Sequence, residues 1–322
     1  MVDIDLDELR RRLAAAEIAD VAPLAGGASS LTFRGARFGR QVVIKVAPPG
    51  VEPVAHRDVL RQALIIKALA ATRVPVPEVL WEDPGTPPQS PPLFVMSHVE
   101  GDCVEPLFDG CPPSPDLPER YRSAARIMAA LHIVSPIDLG LGGESILDPV
   151  AEVHRWCHTL QTVDAALAPD WQGVRDALLQ CAPRAMRPSV VHGDFRLGNV
   201  LAVGARVNAV IDWEIWSIGD PRIDAGWFLI NCDPETYQRV PASAGMAPPT
   251  AELADIYRRE LGEEIADLPW FTALACFKSA ATWSLIVKHN RRRRSPRADL
   301  EAMASALPGL LGRARSMLQG VG

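Results

Sequence analysis

His192-Gly193-Asp194-Phe195-Arg196-Leu197-Gly198-Asn199 sets a carboxylate, a cation and a side-chain amide at close spacing. Asp194 and Asn199 stand five residues apart, and a second carboxylate, Asp212, ends the apolar run Val207 to Ile211. The octet begins where the apolar pair Val190-Val191 ends and closes where another apolar stretch starts, which predicts a loop held by a scaffold. Phosphoryl transfer from ATP needs a carboxylate to orient or deprotonate the acceptor hydroxyl, and oxygen ligands that hold Mg²⁺ against the phosphates. Asp194 suits the first task, and Asn199 with Asp212 the second. Arg196 can place a fixed positive charge near the transferring group. Polar loops also carry incidental acids, and any one of these residues alone fits that reading. Type, order and strand context together favour chemistry.

The elements that must position these residues follow from periodicity and turn signals. Asp3 to Ala16 reads as a short helix, with Asp5 or Asp7 suited to its first turn. Leu31-Thr32-Phe33 and Val42-Val43-Ile44 are β-branched apolar runs separated by Gly35 and Gly39. His56 to Ala70 has helical spacing, with Val59, Ala63, Ile66 and Leu69 near one face. Val79 to Trp81 and Leu93 to Val99 are further strands, split by a proline-rich loop from Pro84 to Pro92. After Gly101 the pattern changes: helices are predicted at about 119–133, 148–167 and 171–181, and near Thr272 to His289. The sequence therefore predicts an α+β chain, with a small β-rich lobe over residues 1–99 and a larger, mainly helical lobe over 100–322.

Composition limits the alternatives. Apolar residues make up 48% and charged residues 22% of 322, with a formal net charge of −6, so no basic surface calls for nucleic acid. The six cysteines never pair as C-x-x-C and read as reduced thiols of a cytoplasmic protein. No secretion signal stands at the start, and no run reads as long enough to span a bilayer, so no membrane partner is expected.

The quoted motifs carry a resemblance. His192-Gly193-Asp194-x₄-Asn199, Ile211-Asp212-Trp213-Glu214 and Gly219-Asp220-Pro221-x₂-Asp224 resemble the signature of the aminoglycoside phosphotransferase and choline kinase-like family. The likeness runs from about Leu24 to Ala281. Within the family the style is similar to kinase-like domains that stand alone in bacteria or are fused to acyl-CoA dehydrogenases. The resemblance implies a protein-kinase-like, two-lobed fold, ATP and Mg as cofactors, and a small-molecule hydroxyl acceptor. It implies Asp194 as catalytic base, Asn199 and Asp212 as metal ligands, and Glu214 beside the metal or its water. Asp224 would tie down the loop backbone, and His192 would orient it.

In the small lobe, Gly26, Gly27, Ser29 and Ser30 could bring backbone N–H groups close to phosphates, although Gly-Gly is equally an ordinary hairpin turn. Lys45 ends its strand like the lysine of the kinase V-A-I-K strand and would reach the α- and β-phosphates. Backbone groups of Ser97 and Val99 would meet adenine. One departure stands out: Gln62 occupies the place of the helix glutamate that pairs with this lysine, and Asp58 or solvent would then share the task. His154 and His158 lack a third metal ligand, and Arg291 to Arg294 reads as a solvated helix end. Only seven residues separate Asp212 from Asp220, too few for the activation segment of a protein kinase. The acceptor stays open among aminoglycosides, other antibiotics, choline-like amines, sugars and hydroxy acids, and the oligomeric state stays open as well. The competing reading is a nucleotide-binding module without turnover.

Overall fold

The computed structural model describes residues 4–24, 30–106, 113–237 and 243–320. The chain opens on helix α1 (Leu6–Ala14), followed by strands β1 (Ile18–Pro23), β2 (Leu31–Arg37) and β3 (Arg40–Val46). Helix α2 (Val59–Leu69) precedes β4 (Val79–Asp83) and β5 (Leu93–Ser97). Then come α3 (Leu117–Ile133), the two-residue β6 (Ile146–Leu147), α4 (Pro149–Leu160) and α5 (Trp171–Gln180). Strand β7 (Ser189–Val191) enters the motif region, and β8 (Val200–Val203), β9 (Arg206–Val210) and β10 (Ser217–Gly219) leave it. Helices α6 (Arg222–Cys232), α7 (Thr250–Leu261), α8 (Leu268–Arg291), α9 (Ala298–Glu301) and α10 (Leu307–Gln319) follow.

Packing divides the chain into two compact units. One runs to Asp102 and regains the chain over Asn199–Trp216, and the other covers Cys103–Gly198 and the rest from Ser217. A single boundary near residue 99 does not describe this division. The β8–β9 hairpin lies far along the sequence, yet it belongs with the first unit.

The first unit is an antiparallel sheet in the order β1-β2-β3-β5-β4. Asp5 caps α1 by accepting from the backbone N–H groups of Asp7 (3.0 Å) and Glu8 (3.1 Å), which orients Leu9 and Leu13 into the core. Strand β3 alternates as its sequence demands: Val42, Ile44 and Val46 are buried, while Val43 and Lys45 face the other way. Each buried apolar side chain of this kind contributes about 1.5–3 kcal/mol. That face of the strand fixes where Lys45 points.

The second unit holds the three-stranded sheet β6-β10-β7 and a helical core built on α8. Trp270, Phe271, Phe277 and Trp283 are core residues, as the sequence suggested. Helix α8, at 24 residues, is long and apolar enough to cross a membrane, contrary to the reading that no run approaches that length. It is instead 78% buried over its most apolar window, the mark of a helix enclosed by protein on all sides. Helix α4 stops at Leu160 rather than near 167. Thr162 Oγ1 donates to the Thr159 carbonyl (2.8 Å), and Asp164 turns the chain by accepting from the Ala166 N–H (2.9 Å).

Candidate active site

In the first unit, three predicted residues gather around one hairpin. Strands β8 and β9 pair Val200 with Val210, and the Ile211 N–H donates to the Asn199 carbonyl at 2.9 Å. Asn199 and Asp212 therefore stand at the same end of the hairpin. Asp212 adopts a left-handed backbone (φ 67°), uncommon for a non-glycine residue and a form of strain that clusters at functional positions. Its carboxylate meets the Lys45 ammonium at 3.3 Å, and Lys45 also donates to Ser30 Oγ at 3.3 Å. A carboxylate and an amide oxygen are the hard donors magnesium takes, and magnesium keeps several waters, so two protein ligands suffice. Glu214 lies half-buried in the turn two residues on.

Asp58 does not take the role offered to it. Its Oδ1 accepts from the Arg61 N–H at 3.0 Å, capping α2, while Asp212 is the carboxylate on Lys45. Gln62 is buried at 2% exposure, and its Nε2 has no hydrogen-bond partner among the described residues. Helix α2 is tied instead by its neighbour: the Arg61 guanidinium lies 3.8 Å from the Trp216 ring centroid. Arg61 Nη1 donates to the Trp216 carbonyl (2.9 Å), and Trp216 Nε1 returns a bond to the Arg61 carbonyl (3.0 Å). Ser97 ends β5, and its N–H already donates to the Glu78 carbonyl at 2.8 Å; Val99 is half-buried just beyond. Gly26, Gly27 and Ser29 lie outside the described residues.

In the second unit, the loop bearing Asp194 is fixed from below. Phe195 and Leu197 are buried, and Phe195 packs edge-on against Phe228 of α6. Asp224 accepts from the backbone N–H groups of His192 (2.6 Å) and Gly193 (2.8 Å), and His132 Nε2 lies 3.3 Å from the same carboxylate. Burial alone would raise the Asp224 pKa. The hydrogen bond and charge of His132, with His192 and its N–H, outweigh that and hold it below the ordinary carboxylate range. His192 Nδ1 accepts from the Asp194 N–H at 3.1 Å, which makes His192 an orienting residue.

Asp194 itself is held by side chains. Trp227 Nε1 donates to its Oδ1 at 2.8 Å, and Arg196 Nε reaches Oδ1 and Oδ2 at 3.1 and 3.2 Å. Arg196 also bonds Glu105 at 2.6 Å, and Glu105 accepts from the Gly198 N–H at 2.6 Å. Burial opposes the Arg196 charge, but the two carboxylates beside it push its pKa above the ordinary range. Burial in turn pushes the Glu105 pKa up, against the pull of Arg196. The guanidinium expected beside the transferring phosphoryl group is thus shared between two carboxylates. Gly198 makes this possible, because a Cβ there would meet Arg196 Nη1 at 2.3 Å and Glu105 Oε1 at 2.5 Å.

Sequence reasoning missed Glu105, His132, Trp227 and Lys278. Lys278 carried one usable signal, a lone cation inside the apolar run from Leu274 to Ala281. Glu105 sits in an irregular segment with no periodicity to mark it.

The fold is that of phosphotransferases of protein-kinase-like architecture. The chain belongs to the phosphotransferase enzyme family, whose sequence profile matches residues 20–271. It is 29% identical over 275 residues to human acyl-CoA dehydrogenase family member 11, covering 81% of this chain and 35% of that protein. It is 30% identical over 210 residues to mouse acyl-CoA dehydrogenase family member 10, covering 62% of this chain and 19% of that protein. The matches thus span about a fifth to a third of those relatives. A provisionally assigned aminoglycoside phosphotransferase of Ralstonia eutropha JMP134 superposes with TM-score 0.77 at 22% identity, covering 99% of both chains. A microcompartment-associated aminopropanol kinase gives 0.67 at 17% identity, covering 99% of both. A thermostable mutant of aminoglycoside phosphotransferase APH(4)-Ia, in ternary complex with ADP and hygromycin B, gives 0.63 at 18%, covering 97% of this chain and 98% of that one. At these identities the structures share the fold.

Proposed function

We propose that this protein transfers the γ-phosphoryl group of ATP to a hydroxyl of a small molecule. The observation that carries the reading is the β8–β9 hairpin, which sets Asn199 and Asp212 at one end with Lys45 on the Asp212 carboxylate. Lys45 would turn from Asp212 to the α- and β-phosphates, and backbone groups at Val99, with the Ser97 carbonyl, would meet adenine. Bound magnesium would neutralise phosphate charge, held by Asn199 and Asp212 with Glu214 beside it.

Asp194 accepts the acceptor proton as the acceptor oxygen bonds to the γ-phosphorus and the bond to the β-phosphate bridging oxygen breaks. Arg196 first serves Asp194, holding the orientation of its carboxylate through the two Nε contacts. In this reading the protein works in the cytoplasm, consistent with the free thiols of Cys157, Cys181, Cys232 and Cys276.

The test is magnesium-dependent ADP release over a panel of hydroxyl-bearing metabolites, amino alcohols and antibiotics. Asp194→Ala should lower kcat by about 10²–10⁴-fold while nucleotide affinity is kept. Tight nucleotide binding with no turnover on any acceptor would replace this reading with the scaffold module that the unpartnered Gln62 amide suggests.

A further inference from the structure

Lys278 lies on α8, fully enclosed at 3% exposure, and its Nζ donates to the Gly193 carbonyl. Its ammonium sits 4.2 Å from the Trp227 ring centroid and 5.3 Å from that of Trp156. Both indoles point their N–H at a carboxylate: Trp227 at Asp194 Oδ1 (2.8 Å) and Trp156 at Glu152 Oε1 (2.6 Å). A buried ammonium is costly, and a methionine would fill the same space without that cost, so packing alone does not account for a lysine here. Burial depresses the Lys278 pKa, and the carboxylates of Glu152 and Asp194 oppose that.

Helix α6 can bring Trp227 to this place because residue 226 is glycine: a Cβ there would lie 2.4 Å from the Phe271 carbonyl of α8. Gly193, the residue before the base, is held on both sides, by Asp224 on its N–H and by Lys278 on its carbonyl.

We propose that Lys278 and Trp227 act as one positioning device for Asp194: the ammonium fixes the backbone before the base and supports the indole, and the indole N–H fixes carboxylate oxygen Oδ1. The role deepens the kinase reading above and rests on it. Neither residue needs to touch substrate. A cation over a ring makes the indole N–H a stronger donor, so the two parts should be coupled.

Trp227→Phe keeps a ring against the ammonium and removes the N–H together with part of the buried indole. It should lower kcat about tenfold to a hundredfold with nucleotide Kd close to wild type, while the smaller ring lowers the melting temperature modestly. Lys278→Met should lower kcat in the same way, and the double variant should lose less than the product of the singles. In ¹⁵N-labelled protein, the Trp227 indole resonance should shift in both Lys278→Met and Asp194→Asn. If Lys278→Met does not fold, Trp227→Phe and the Asp194→Asn spectrum carry the test. Trp227→Phe retaining kcat within about twofold would overturn the proposal, as would strictly multiplicative losses or an indole signal indifferent to Asp194→Asn. Absence of wild-type turnover on every acceptor would sink the kinase reading, and the indole shifts would still judge the network on their own.

Discussion

The two units present their predicted chemistry in opposite ways. On the first, Lys45 and Asp212 side chains are 12% and 31% exposed and hold one another through a single 3.3 Å contact at strand and hairpin ends. On the second, Asp194 stands on a loop whose backbone is bonded by the enclosed Asp224 and Lys278, with His132 buried behind Asp224. The contrast matches what each set is asked to do. Groups that meet phosphate and metal must exchange partners when these arrive. A base gains most from an orientation fixed before the reaction starts. Mobility is left where ligands supply order, and buried charge is spent where they do not.

The comparison can be broken at Asp224. Asp224→Ala strands two backbone N–H groups and His132 in the interior, and should cost about 3–5 kcal/mol of stability by denaturant unfolding. The pH dependence has a definite sign. The folded carboxyl titrates below the unfolded one, so its contribution is fully present above about pH 4 and is lost as pH falls through the depressed folded value. Asp224→Ala should flatten that acid limb.

At the other unit, Lys45→Met should raise the ATP Kd by about 10- to 100-fold with little change in melting temperature, since this part-buried pair leaves the Asp212 carboxylate within reach of solvent. A smaller effect is expected at Gly198, where Ala must displace the Arg196–Glu105 pair. We expect kcat to fall about tenfold with nucleotide Kd unchanged. The smallest lies at Asp58: Asn caps as well as Asp, so Asp58→Asn should change stability by under about 0.5 kcal/mol and leave nucleotide affinity alone. A marked loss of nucleotide affinity in that variant would restore Asp58 as a partner of Lys45.

Much of this molecule was readable before folding was considered. The apolar run Val42 to Ile44 gave the strand that Lys45 follows, and the spacing of Val59, Ala63, Ile66 and Leu69 gave the buried side of α2. The order of Asp194, Asn199 and Asp212 was legible because loop and hairpin chemistry is local, and short-range order is written in residue type. What the chain order could not carry were the side chains that arrive from far away. Glu105 meets Gly198 across 93 residues, and Lys278 meets Gly193 across 85.

Nor could sequence assign Asn199 to Trp216 to the first unit, or turn Arg196 towards Glu105 and Asp194. Periodicity records which face of an element is buried, not which distant element covers it. The place of the buried ammonium beside Trp227 was therefore decided only when helices α6 and α8 packed closely at Gly226, and the partners of Arg196 only when the segment bearing Glu105 reached the loop.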